Sequence, residues 1–141
     1  MNILMEADLS SKQRQQRSLR VLVVDDSPLA RDGIRLLLGR RQEIEVVGFA
    51  TNGEEALAQA EALSPDLILM DIEMPKLNGL KATQMVRSRF PEIRVIIVTV
   101  NQGGEVYQNC IASGADGLVV KDRLYEDLIA EIRRVFPSHP P

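Results

Sequence analysis

The amino-acid sequence predicts an α/β fold, a doubly wound five-stranded parallel sheet with helices on both faces. Five short apolar runs rich in β-branched residues begin at positions 21, 44, 67, 95 and 118, and such runs are typical of buried strands. Segments with helical spacing separate the runs, and this alternation favours parallel strands joined by right-handed crossovers. The central runs are continuously apolar, as expected of strands that are covered on both faces.

Local signals support the individual elements. The predicted strands are Val21–Val24, Ile44–Val47, Leu67–Met70, Val95–Val98 and Leu118–Val120. Ser27 followed by Pro28 indicates a helix start, because serine caps the first turn and proline fits the first helical position. Asn52 with Glu55 resembles a capping box, and Gly114 is a favourable helix end. Apolar stripes indicate the helices after the first and last strands: Ala30, Ile34, Leu37 and Leu38, then Leu124, Leu128, Ile132 and Val135.

The composition limits the class of protein. The chain has 141 residues, which fits one domain, and its net charge of -3 disfavours direct nucleic-acid binding, since that requires a basic face. The single cysteine, Cys110, excludes an internal disulfide and a cysteine-rich zinc site. No segment approaches the roughly 20 apolar residues of a membrane span, and Met1–Leu9 lacks the features of a secretion signal. We therefore expect a cytoplasmic domain without membrane contact.

The polar stretches at the two ends suggest a division of the chain. Residues 1–18 are expected to form a polar flexible arm, because Ser10–Ser18 contains no apolar residue. Residues 19–136 form the predicted domain, and residues 137–141 are typical of a linker-like tail. His139 lies in this tail, where we expect a solvated side chain.

Polar residues follow four of the five predicted strands, at the point where each strand ends. Asp25 and Asp26 follow the first strand, Asp71 the third, Thr99 the fourth and Lys121 the fifth. Because ligands bind beyond the carboxyl ends of the strands in open α/β sheets, we expect these side chains to share one site. Each residue alone has an ordinary structural explanation as a turn or surface residue. Their joint placement favours a functional site.

The charges of this group indicate its chemistry. Three carboxylates at one edge repel each other, by about 1 to 4 kcal/mol per pair at 4 Å, so a counterion is expected. Oxygen ligands suit a hard divalent cation, most plausibly Mg²⁺. Three carboxylates and one lysine carry a charge of -2, which a divalent ion neutralises. Such a site can receive a phosphoryl group, and a carboxylate can act as its nucleophile.

Four segments resemble one known family. They are similar to the receiver domain of two-component response regulators, and the resemblance covers about Leu19 to Phe136. The segments that carry it are LVVDDSPLARDGIRLLL, LILMDIEMPKLNGL, VIIVT and GADGLVVKD. It implies a flavodoxin-like (βα)5 fold with strand order 2-1-3-4-5. Within the family, the chain is most similar to receivers that precede a helix-turn-helix DNA-binding domain.

The resemblance implies a metal site. Asp26 and Asp71 would ligate Mg²⁺ directly, together with the backbone carbonyl of Glu73. Asp25 would hold the metal largely through water. Met74-Pro75 and Gly79 would shape the adjoining loop, since proline fixes φ and glycine permits tight turns.

The resemblance also implies a phosphoacceptor and a switch. Asp71 would accept the phosphoryl group, Lys121 would pair with its oxygens, and Thr99 would turn inward to bind it. Receivers often carry an aromatic switch residue where this chain has Leu118, and many have proline where it has Asp122. These two departures put the usual threonine-to-aromatic relay in question, while leaving phosphorylation intact.

The implied function is that of a regulatory phosphoacceptor rather than a metabolic enzyme. Its partners would be a sensor histidine kinase or phosphotransfer protein, and a second copy on phosphorylation. Leu36, Tyr107 and Ile111 are either ordinary surface residues or part of such a contact. The output would be transcription, through a domain absent here, if the chain is a piece of a longer regulator rather than a stand-alone receiver.

Two other functions remain open from sequence. One is a degenerate receiver that binds proteins without being phosphorylated. The other is a Mg²⁺-dependent phosphatase of the haloacid-dehalogenase type, which also uses an aspartate nucleophile. The latter is disfavoured because such enzymes carry the nucleophile on the first strand, whereas Asp71 lies on the third.

Overall fold

The computed structural model describes residues 17–74, 77–100 and 103–138. The strands are β1 (Leu19–Val24), β2 (Ile44–Ala50), β3 (Leu67–Asp71), β4 (Arg94–Thr99) and β5 (Gly117–Val120). The helices are α1 (Pro28–Gly39), α2 (Gly53–Leu63), α3 (Gly79–Arg89), α4 (Gly104–Ala112) and α5 (Leu124–Val135), with a turn of 3₁₀ helix at Lys121–Arg123. The predicted arm falls almost entirely outside the described residues, as do Pro75 and His139.

The strands form one parallel sheet in the order β2-β1-β3-β4-β5. The predicted fold class and strand order are therefore confirmed. The direction of strand addition reverses between β1 and β3. β2 lies on one side of β1, whereas β3, β4 and β5 follow on the other side. Polar groups at the carboxyl ends of β1 and β3 are consequently brought together.

Helices cover both faces of the sheet. Val21 and Val23 of β1 pack into a core that includes residues of α1 and α5, whereas Leu22 and Val24 pack into the core that includes residues of α2, α3 and α4. Successive residues of a strand point to opposite faces, so both faces of β1 must be apolar. Cys110 lies in the second core, where burial raises the pKa of its thiol.

The predicted helix caps are confirmed. Ser27 Oγ accepts a hydrogen bond from the Ala30 amide at 3.2 Å, and Asn52 Oδ1 accepts one from the Glu55 amide at 2.9 Å. These contacts satisfy amides that a helix start leaves without an intrahelical partner. Gly114 follows α4 with a φ of +94°, a conformation that favours glycine.

Strand β2 is longer than the sequence predicts. It continues past Val47 to Ala50, and a register shift between Val21 and Leu22 accommodates the change in pairing with β1. The Asp25 amide donates to the Ala50 carbonyl at 3.0 Å, so β2 supports the chain where β1 ends. No helix in the described part of the chain is long and apolar enough to cross a membrane.

Candidate functional site

The polar residues singled out from the sequence lie at the carboxyl edge of the sheet. Asp25 and Asp26 follow β1, Asp71 is the last residue of β3, Thr99 is the last residue of β4, and Lys121 follows β5. Thr99 is fully buried, with 0% of its surface exposed. The sheet topology thus delivers these residues from four strands to one edge.

The three aspartates form one cluster. Asp25, Asp26 and Asp71 each offer a carboxylate oxygen, and these oxygens lie within 4.8 Å of one another. Asp25 and Asp71 are buried, whereas Asp26 is exposed. The cluster is therefore open on the side of Asp26 and closed by the sheet on the other side.

The cluster fits a hard divalent cation. All three donors are carboxylate oxygens, which are the ligands that Mg²⁺ and Ca²⁺ prefer. Asp25 Oδ2 is buried, and its partner among the described residues is the ammonium group of Lys121, at 2.7 Å. One lysine leaves lone pairs on the clustered carboxylates that a cation or its coordinated water can use.

Lys121 provides the positive charge of the site. Its Nζ lies 2.7 Å from Asp25 Oδ2 and 3.7 Å from Asp71 Oδ2. The short contact with Asp25 is an ion pair, so the buried Asp25 Oδ2 atom faces the ammonium group of Lys121 directly. Since the three aspartates and Lys121 together carry -2, the lysine compensates only part of the negative charge.

These neighbours change the proton affinity of two groups. Burial, followed by the charge of Asp25, raises the pKa of Asp71 from 3.8 to about 6, although Lys121 acts in the opposite direction. Burial by itself lowers the pKa of Lys121, but its contacts with Asp25 and Asp71 outweigh burial and raise it. At neutral pH Lys121 is therefore charged. Asp71 is mostly ionised, but it binds a proton more readily than a solvent-exposed aspartate does.

The loop after β3 passes close to Asp71. The Glu73 amide donates to Asp71 Oδ1 at 3.3 Å, and the Gly79 amide donates to the Ile72 carbonyl at 2.9 Å. A Cβ atom on Gly79 would lie 1.9 Å from the backbone oxygen of Asp71. Glycine is required here by this close approach. The φ of Gly79 is not positive, so the close approach, rather than a left-handed backbone conformation, is what requires glycine.

Leu118 lies on β5, three residues before Lys121. It is half-buried, its amide donates to Glu131 Oε2 at 3.0 Å, and it lines a groove of about 380 Å³ together with Tyr107 and Ile111 of α4. Tyr107 and Ile111 are about half exposed, at 54% and 52%. The role of Leu118 in switching stays a prediction.

One residue at the edge of the site escaped the sequence analysis. Arg31 of α1 donates from Nη1 to the backbone oxygen of Asp25 at 2.7 Å. The sequence offers only a weak signal for this contact. A cation in the first turn of a helix opposes the helix dipole, so its presence there suggests a compensating partner.

Comparison with known proteins identifies the family. Residues 21–133 match the model of the response regulator receiver domain. The chain is 36% identical over 119 residues to the nitrate/nitrite response regulator protein NarL of Escherichia coli K12, covering 84% of this chain and 55% of NarL. It thus spans about half the length of this relative.

Solved structures agree with this match. The response regulator domain of CheB from Thermotoga maritima superposes with a TM-score of 0.79 at 35% identity, over 84% of this chain and 96% of that chain. A LuxR-family two-component response regulator from Aurantimonas sp. SI85-9A1 superposes with a TM-score of 0.81 at 30% identity, over 87% of this chain and 88% of that one. The family match, the strand order and the acidic edge agree, and the chain belongs to the receiver domains of two-component response regulators.

Proposed function

We propose that this domain accepts a phosphoryl group on Asp71, in a reaction that requires Mg²⁺. The observation that carries the proposal is the cluster in which Asp25, Asp26 and Asp71 bring carboxylate oxygens within 4.8 Å, beside Lys121. Phosphorylation of Asp71 adds negative charge to the site. The ammonium group of Lys121, which lies 3.7 Å from Asp71 Oδ2, can offset part of that added charge.

The metal would be held by three side chains, those of Asp25, Asp26 and Asp71, and by the backbone carbonyl of Glu73. Bound there, Mg²⁺ would supply positive charge to the oxygens of the phosphoryl group. The metal also compensates the charge of the cluster, since the three carboxylates and Lys121 otherwise carry -2.

The chain's own residues then have distinct roles. A carboxylate oxygen of Asp71 attacks phosphorus of a phosphohistidine, so that an O–P bond forms while the P–N bond breaks. The electron pair of that bond stays on the histidine nitrogen, which takes up a proton. Lys121 pairs with the phosphoryl oxygens, and the Thr99 hydroxyl donates a hydrogen bond to them. Attack of water on the acyl phosphate later returns Asp71 and releases inorganic phosphate.

The partners follow from this chemistry. The donor is a sensor histidine kinase or a phosphotransfer protein, and the domain acts as a regulator that assists its own phosphorylation and dephosphorylation. Residues 19–136 form the receiver, and we propose a cytoplasmic location. The output is transcription through a DNA-binding domain outside this chain, supported by similarity to a DNA-binding response regulator of the LuxR family from Staphylococcus aureus. A second copy is a further partner on phosphorylation.

Mass measurement tests the proposal. The protein is incubated with acetyl phosphate and Mg²⁺ and weighed intact, next to Asp71→Asn and the exposed-site control Asp32→Asn. We expect one phosphoryl group on the wild type and on Asp32→Asn, none on Asp71→Asn, and none for any variant when EDTA removes the metal.

The other outcomes identify the alternatives. No mass gain in the wild type, while a known receiver is modified in parallel, would contradict the proposal and support a degenerate, protein-binding receiver. Steady turnover of a chromogenic phosphate ester would instead support a phosphatase.

A further inference from the structure

The loop that carries the first two aspartates is held by a set of hydrogen bonds. The Asp25 amide donates to the Ala50 carbonyl at 3.0 Å, and the Ser27 amide donates to Asp25 Oδ1 at 2.9 Å. Both bonds fix Asp25. Asp26, whose carboxylate is exposed, depends on the path of the backbone between Asp25 and Ser27.

Arg31 holds that part of the backbone. Its Nη1 donates to the Asp25 carbonyl at 2.7 Å, and this carbonyl belongs to the peptide bond that joins Asp25 to Asp26. The Arg31 amide also donates to the Ser27 carbonyl at 3.1 Å. The second bond is the first backbone bond of the helix and anchors residue 31 next to the segment that contains Asp26, so the side chain alone supplies the contact with the Asp25 carbonyl.

The environment of Arg31 distinguishes it from the other arginine of the same helix. Arg31 is partly buried, whereas the side chain of Arg35 is 55% exposed and makes only a 3.8 Å contact with the exposed Asp32. Arg31 lies in the first turn of α1, where a cation opposes the helix dipole. A charge-assisted hydrogen bond to a peptide carbonyl is strong enough to offset that cost.

We infer that Arg31 is a positioning residue for the metal site: its hydrogen bond to the Asp25 carbonyl orients the Asp25–Asp26 peptide so that the Asp26 carboxylate faces Asp71. The inference rests on the proposed function for the identity of the metal. It assigns Arg31 no contact with the metal or with the phosphoryl group.

Charge and position predict opposite effects of removing this side chain. Loss of a positive charge near a cation site strengthens cation binding by Coulomb's law. Loss of a group that orients a ligand weakens it, and removal of such supporting groups costs 10- to 100-fold in metal affinity in other proteins. The sign of the change in Mg²⁺ affinity therefore separates the two roles.

The experiment is a calorimetric titration of the metal-free protein with Mg²⁺, in the absence of any phosphoryl donor. Arg31→Gln is expected to weaken Mg²⁺ binding by about tenfold. Arg35→Gln removes the same charge from the same helix and is expected to leave the affinity within about twofold of wild type. Arg31→Lys keeps the charge but replaces the planar guanidinium by a shorter ammonium group, and is expected to weaken binding by about threefold. Circular dichroism and urea unfolding in EDTA establish that each variant is folded.

Wild-type or tighter Mg²⁺ binding by folded Arg31→Gln overturns the inference. If that variant does not fold, wild-type affinity in Arg31→Lys overturns it. A wild type that binds no Mg²⁺ overturns both this inference and the proposed function. A wild type that binds Mg²⁺ but takes no phosphoryl group overturns the proposed function alone, because the titrations still measure the role of Arg31.

Discussion

Replacing Asp71 by asparagine should stabilise the metal-free domain at neutral pH. In the folded state the Asp71 carboxylate is buried and lies beside Asp25 and Asp26, and Lys121 compensates only part of their charge. In the unfolded chain the same carboxylate is solvated. The ionised form therefore lowers the free energy of unfolding, and Asp71→Asn removes this charge while it preserves the size and an acceptor for the Glu73 amide.

The raised pKa of Asp71 gives the size of the effect. Burial and the charge of Asp25 raise it from 3.8 to about 6, and at about 1.4 kcal/mol per pKa unit this corresponds to about 3 kcal/mol at most. This pKa already includes the attraction of Lys121, and the buried amide of asparagine adds N–H donors that need partners, so we expect a gain of about 1 to 2 kcal/mol in the free energy of unfolding at about pH 7.

The dependence on pH has a definite sign. Because the pKa of Asp71 is higher in the folded state than in the unfolded state, the folded state binds the proton more tightly. The destabilisation is fully present above about pH 6 and disappears as the pH falls toward 4. The advantage of Asp71→Asn over wild type should shrink over that range, since the other titrating groups are common to both proteins.

Urea unfolding followed by circular dichroism in EDTA measures these differences, with Asp32→Asn as a control for loss of an exposed carboxylate. Saturating Mg²⁺ should reverse the order, because a ligand that binds only the folded state stabilises it, by about 2.7 kcal/mol at 100 times its dissociation constant. An Asp71→Asn variant that is less stable than wild type in EDTA at about pH 7, or whose advantage does not change with pH, would show that the ionised Asp71 carboxylate does not destabilise the fold.

Two further substitutions test the supports of the site. Gly79→Ala should lower the free energy of unfolding by about 2 to 4 kcal/mol, because its Cβ would lie 1.9 Å from the Asp71 backbone oxygen. In the control Gly104→Ala, no atom of the described residues lies within 4 Å of the new Cβ, and equal losses in the two urea titrations would contradict this expectation. Lys121→Met should lower the free energy of unfolding in EDTA by about 2 kcal/mol, because it leaves the buried Asp25 carboxylate without its ion-pair partner. An unchanged midpoint of urea unfolding would show that the 2.7 Å contact between Lys121 and Asp25 is not stabilising.

The parts of the molecule that follow from repeated local patterns were predictable. The alternation of strands and helices required a parallel sheet, and a parallel sheet brings the ends of its strands to one edge. The five polar residues that follow the strands could therefore be placed at one edge without knowledge of side-chain positions. They are Asp25, Asp26, Asp71, Thr99 and Lys121. The strand order came only from the resemblance, because spacing along the chain does not determine which strands are neighbours.

The parts that depend on close approach between distant segments were not predictable. The backbone of Asp71 approaches Gly79 so closely that no side chain fits, and the sequence shows only a glycine. β2 extends to Ala50 because the Asp25 amide pairs with the Ala50 carbonyl. Lys121 was expected to contact phosphoryl oxygens, and the carboxylate nearest to it among the described residues is that of Asp25. The Arg31 contact is a bond between a side chain and a backbone atom, which leaves no periodic pattern.

The central claim is that Asp71, and neither Asp25 nor Asp26, becomes the acyl phosphate. Borohydride reduces an aspartyl phosphate to homoserine, so the modified residue can be located by peptide mass mapping after treatment with acetyl phosphate and Mg²⁺. We expect homoserine at position 71 alone, and no conversion when the metal is removed. Conversion at position 25 or 26 with position 71 unchanged would contradict it.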